Sequence, residues 1–111
     1  MLLSELWPWF IAFIFTQCME VPIYLRVTQS WRTSFLASTF THPIVWFVIP
    51  ALWPENGSYL GLVIACELFA VLAEAIWFRL NGIRRALLLS FLGNGASAVG
   101  GLLLRHIFGV P

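Results

Sequence analysis

Residues 65–78 read ACELFAVLAEAIWF. The apolar content of the stretch suits a lipid bilayer; its two carboxylates do not. Glu67 and Glu74 stand two helical turns apart and so share one face of a helix. A charge at the centre of a span costs roughly 2.5–3.5 kcal/mol on the insertion scale. Such groups therefore face the interior of a helix bundle or a wet cavity, and by default they mark function. This stretch asks for neighbouring spans that cover its acidic face.

The rest of the chain supplies them. It has 111 residues, 60% of them hydrophobic and 10% charged, with a mean hydropathy of +0.89. A soluble domain this short would bury only part of its surface and would need more charge. A bilayer span takes about 20 mostly apolar residues, so four spans with short loops use nearly the whole chain. The net charge of +1 gives no electrostatic footprint for nucleic acid. The reading is a single all-α transmembrane domain over residues 1–111, a polytopic four-helix bundle in contact with lipid.

The spans are read as about 6–26, 33–53, 58–79 and 85–105. Ser4 is a candidate cap for the first, with Pro8 tolerable in a first turn. Pro50, Pro54 and ENGS (55–58) end the second and open the third. Asn81-Gly82 stops the third, because Gly accepts the left-handed conformation after a helix end. Trp7, Trp9, Trp31, Trp53 and Trp77, with Tyr24 and Tyr59, fall near span ends and read as aromatic belts. The first span is not read as a cleavable signal peptide, since it lacks a basic leader, runs long and contains Glu20. Cys18 and Cys66 are read as free thiols.

All six basic residues are arginine. Arg26 and Arg32 flank the first loop, and Arg79, Arg84 and Arg85 the third. The opposite end has only Arg105. The positive-inside rule then puts the arginine-rich loops in the cytoplasm and both termini outside the cytoplasmic (inner) membrane.

Each span carries one polar face. The first has Thr16, Gln17 and Glu20; the second Ser34, Ser38, Thr41 and His42; the fourth Ser90, Asn94 and Ser97 at helical spacing. Counted from the arginines at about 1.5 Å per residue, Glu20 and Glu74 lie roughly 8–9 Å deep, and His42, Glu67 and Asn94 roughly 14–18 Å. Two layers result, with Glu20, Glu74, Ser38 and Ser90 in a vestibule open to the cytoplasm. The candidate binding residues are Glu67, His42, Glu20, Glu74, Asn94 and Ser97. The competing reading lets Glu20 and Glu74 snorkel towards Arg26 and Arg79. Asn94, Ser97 and the small residues of GNGASAVGG (93–101) also suit close helix packing.

The two halves, 1–54 and 55–111, echo each other. Arg32, Ser38 and His42 have the spacing of Arg84, Ser90 and Asn94, and Glu20 and Glu74 each precede an aromatic residue by four, Tyr24 and Phe78. This is the pattern of parallel two-helix repeats about an axis normal to the membrane. Glu20 would then face Glu74, and His42 would face Asn94.

Glu-x-Pro (20–22), Thr-His-Pro (41–43), paired Glu in the third helix and Asn-x-x-Ser (94–97) together resemble a widespread family of small four-span bacterial membrane proteins. The resemblance covers about Thr16 to Gly101. It implies the fold and carries no activity. It also implies that Asn can stand in place of His42, which counts against an obligatory metal ligand there.

Three functions fit. The first is binding or translocation of a cation or small polar solute around Glu67, which with four helices implies a homodimer or a subunit of a larger membrane assembly. The second is a metal-dependent intramembrane hydrolase, with Glu67, His42, Glu20 and Glu74 as ligands for zinc, iron or manganese. No HExxH or Glu-x-x-His pair supports it. The third is a non-catalytic accessory subunit whose polar core only selects helix partners. A wet cavity separates the first two from the third.

Overall fold

The computed structural model describes residues 2–109, of which all but fourteen are helical. Helix α1 spans Leu2–Thr28 and α2 spans Trp31–Pro43. A π-helical turn, Ile44–Val48, leads into the short α3, Ile49–Leu52. Then come α4, Tyr59–Leu80, and α5, Ala86–Phe108. Four stretches are long and apolar enough to cross a membrane: Ser4–Thr28, Trp31–Leu52, Tyr59–Leu80 and Ala86–Phe108. The protein is an all-α membrane bundle, and its long dimension of 39 Å exceeds the roughly 30 Å of a hydrocarbon core.

Local chemistry explains most boundaries. Ser30 caps α2 by accepting from Thr33 N–H at 3.1 Å, and Ser58 caps α4 by accepting from Gly61 N–H at 3.0 Å. After α4, Gly82 adopts φ +84°, and Ile83 N–H closes the helix end on the Phe78 carbonyl at 3.0 Å. The expected stop at Asn81-Gly82 is therefore found. The expected cap at Ser4 is not, because α1 starts at Leu2 and Ser4 and Pro8 both lie inside it.

The second span was expected as one uninterrupted helix. Instead it widens at Ile44–Val48, where Ile49 N–H reaches back five residues to the Ile44 carbonyl. Pro43 and Pro50 flank the widened turn and have no N–H to give. A π turn absorbs the broken register, and such turns concentrate at functional sites.

In cross-section the order around the bundle is α1, α2, α4, α5, so α1 lies diagonally across from α4. At the arginine-rich end Tyr24, Phe78, Ala37, Leu89 and Ala86 form a close-packed apolar plug. Tyr24 and Phe78 meet edge to face, centroids 4.6 Å apart. Trp77 ties α4 to α2 by donating from Nε1 to the Thr33 carbonyl at 2.9 Å. Beyond the plug the interior is polar, with Gln17, Glu20, Ser38, Thr41, Glu74, Ser90 and Asn94 all buried. The large apolar side chains cover the outside, as lipid requires. Buried positions recur at matching places in the two helix pairs: Glu20 with Glu74, Tyr24 with Phe78, Ala37 with Leu89, Ser38 with Ser90.

Candidate functional site

Glu20 and Glu74 each retain 1% exposure. They belong to diagonal helices, and one phenol bridges them. Tyr24 Oη lies 2.6 Å from Glu74 Oε1 and 3.3 Å from Glu20 Oε1. The remaining partners come from the second and fourth spans, so all four spans meet at the pair. Ser38 donates to Glu20 Oε1, and Ser97 donates to Glu20 Oε2 at 2.6 Å. Thr41 donates to Glu74 Oε2 at 2.9 Å, and Asn94 Nδ2 donates to Glu74 Oε1 at 3.3 Å. Asn94 is itself held by the Ser90 carbonyl at 2.9 Å, and Ser90 by the Val71 carbonyl at 2.7 Å. Hydrogen bonds inside a low-dielectric bundle stabilise the network cooperatively and fix how each helix is rotated.

Each of these partners is neutral, while the six arginines are exposed. The snorkelling alternative for Glu20 and Glu74 is thereby removed: both carboxylates turn inward, away from Arg26 and Arg79. So is the open vestibule, because the Tyr24–Phe78 plug seals the arginine-rich end. The two-layer arrangement also changes. Asn94 joins the carboxylate pair instead of a separate midplane layer, and Ser97 joins it as well.

Tyr24 is the residue that sequence reasoning misplaced. Its position near a span end suggested an interfacial belt, yet it is fully buried. The signal was present: Tyr24 follows Glu20 by four and so must share its face. Gly93 on α5 makes room for it, since a Cβ there would come within 2.3 Å of Tyr24 Cε1. Thr41, seen only as a polar span residue, is likewise a direct partner of Glu74. Gln17 turns aside to the Phe35 carbonyl at 3.1 Å and Thr39 Oγ1 at 3.3 Å, between α1 and α2.

Above the carboxylate pair lies a cavity of about 130 Å³, lined among others by Glu20, Glu74, Thr41, His42, Glu67 and Asn94. That is room for several waters. Glu67 is half-buried at its edge and has no hydrogen-bond partner among the described residues. It also lines a second, larger groove of about 430 Å³ on the side of the termini. Val45 and Cys66 are the other residues common to both, and Val45 belongs to the π turn. The polar interior thus continues through Glu67 towards the end opposite the arginines.

His42 lines the cavity from an aromatic nest. Its ring lies 5.6 Å from Phe13, 6.2 Å from Trp9 and 6.3 Å from Trp46, centroid to centroid. Its Nδ1 is buried without a partner, as is Trp9 Nε1. His42 has no hydrogen bond to Asn94 or Glu67 among the described residues. Buried orphans of this kind commonly hold an ordered water. Cys18 and Cys66 are free.

The proposed metal set is not assembled. Among the described residues no three His, Cys, Asp or Glu side chains converge as a metal ion needs. The oxygens of Glu20 and Glu74 are already engaged by hydroxyl, phenol and amide donors, so Glu67, His42, Glu20 and Glu74 share a cavity without forming a ligand cage.

Comparison with protein-family models, with curated proteins and with solved structures yields no match for this chain.

Proposed function

We propose that the protein binds a small cation, a proton included, in the polar interior and passes it across the membrane. The observation that carries this reading is the cavity joining the Glu20–Tyr24–Glu74 unit to Glu67, which has no hydrogen-bond partner among the described residues. The buried carboxylates have no cationic side chain against them, so their charge is balanced by a proton or by a cation entering from the cavity. Glu67 is the group that an entering cation meets first. The hydroxyls of Ser38, Ser97 and Thr41 provide the oxygen-rich surroundings that hard cations prefer. A purely structural core would have no need of a cavity beside its carboxylates, which ranks the accessory-subunit reading second. The metal-dependent hydrolase ranks third for want of a converging ligand set.

Under this proposal the arginine-rich loops lie in the cytoplasm and both termini outside the inner membrane. The plug of Tyr24 and Phe78 is the inner gate, and the Ile44–Val48 turn is the outer hinge. The matched burial of the two helix pairs supports reading them as repeats, with Tyr24 and Phe78 meeting on the pseudo-two-fold axis. Release past a gate this tight favours a homodimer or a larger assembly as the working unit. Membership of the small four-span family fits the same scheme.

The direct test is cation flux in proteoliposomes, read with an internal pH dye and with inorganic cation tracers. Glu67→Gln is expected to lower flux about tenfold or more, the equivalent of one lost charge-assisted contact. Its thermal unfolding should match the wild type, since Glu67 has no hydrogen bond among the described residues to lose. Undiminished flux in this variant would end the proposal. For orientation, single cysteines at Gln29 and the exposed Asn81, in a background with Cys18 and Cys66 replaced by alanine, should label only from the cytoplasmic side. Labelling of both from outside would invert the topology.

A further inference from the structure

Resting on that reading of Glu67, the geometry points to a more specific substrate class: a monovalent organic cation with an apolar body, seated in the groove that ends at this carboxylate. The groove has about 430 Å³, within the usual range for small-molecule sites. Its walls come from three spans. Pro8 lies on α1, Val45, Trp46 and Pro50 on the second span, and Leu62 and Val63 on α4. These are hydrocarbon and aromatic surfaces, suited to an apolar body arriving from the lipid.

Charge is distributed unevenly along the groove. At the rim, Glu5 is exposed, and the exposed Arg105 reaches Tyr59 Oη at 3.5 Å. These two opposite charges leave the rim without a strong preference. At the floor, Glu67 is the only charged residue, and it carries no hydrogen bond or ion pair among the described residues. An anion is repelled there, and a neutral apolar molecule leaves the carboxylate unsatisfied. A cation satisfies it, and the Trp46 ring in the wall supplies aromatic surface of the kind that organic cations favour. Besides Glu67, the oxygen-bearing side chains lining the groove are those of Ser4, Glu5 and Tyr59, fewer oxygens than the hydration shell of an inorganic ion holds, whereas an organic cation sheds little hydration on entry. The groove therefore selects an organic cation, while the inner cavity suits a proton or a bare ion. A carrier with both has the two sites that exchange of one for the other would require, and they share Glu67.

The test uses purified full-length protein in detergent with radiolabelled tetraphenylphosphonium, and tetraphenylborate as a competitor of the same shape and opposite charge. Saturable tetraphenylphosphonium binding is expected, weakened about tenfold or more by Glu67→Gln, kept by Glu67→Asp and not displaced by tetraphenylborate. Leu62→Trp, which fills the groove and leaves the carboxylate in place, should also weaken binding while unfolding at the wild-type temperature. Binding that ignores Glu67→Gln, or equal affinity for both ions, would overturn the inference by reducing the groove to a greasy surface. The proton-flux measurement above separates the two claims. Flux that depends on Glu67 without tetraphenylphosphonium binding removes the organic substrate and leaves the small-cation reading. Loss of Glu67 dependence in both removes both.

Discussion

Replacing Gly93 with leucine is expected to stop the bundle from assembling. A Cβ at this position would lie 2.3 Å from Tyr24 Cε1 and 2.4 Å from both Cζ and Oη. Tyr24 has nowhere to retreat. Its ring is packed against Phe78, and its hydroxyl is held by Glu74. Overpacking a close-packed interior typically costs about 1–3 kcal/mol and occasionally more, so Gly93→Ala should already lower the unfolding temperature. Leucine would force α5 off α1 and break the Asn94 and Ser97 contacts on the adjoining turns. Gly95 is the control. A Cβ there meets nothing within 4 Å, and the gain in helix propensity is up to about 1 kcal/mol. Gly95→Ala should therefore unfold at the wild-type temperature or above it. Thermal unfolding and monodispersity in detergent decide the matter. A well-folded Gly93→Leu would mean that Tyr24 does not reach into the core.

Glu74→Gln is expected to abolish transport while leaving the bundle as stable as the wild type or more so. The glutamine carbonyl still accepts from Tyr24 and Asn94, and its amide faces the Thr41 hydroxyl, which accepts as readily as it donates. What disappears is one of two buried carboxylates with no cation to balance them. Sites that keep such a charge do so for function and sacrifice stability. Tyr24→Phe should do the reverse to stability. It deletes the donor between two carboxylates and leaves them under-satisfied, at a cost of about 1–3 kcal/mol. Measuring flux and unfolding temperature on the same preparations separates the roles. A Glu74→Gln protein that loses stability along with flux would make the pair a structural device. One that keeps full flux would place the pair off the route.

The sequence by itself determined that this chain is a membrane bundle. Four apolar runs of span length leave no other use for the chain, and the cost of charge in hydrocarbon turns Glu67 inward, too deep to snorkel, whereas for Glu20 and Glu74 the packing closed the alternative. Local chemistry fixed the ends as well: Ser58 opens α4, and Gly82 ends the turn that follows it. These signals act within a few residues and are read directly from spacing.

Only the tertiary structure decided which donor meets which carboxylate. Tyr24, Glu74 and Asn94 come from three different helices, and no local spacing relates them. Their meeting depends on the rotation of each helix about its axis, and small residues such as Gly93 set that rotation by letting a ring pass. The same packing seals the arginine-rich end with Tyr24 and Phe78 and leaves the opposite end open beside Glu67. Charge counts along the chain suggested the other opening, because they record where arginines lie relative to lipid and carry no record of how tightly the interior is filled.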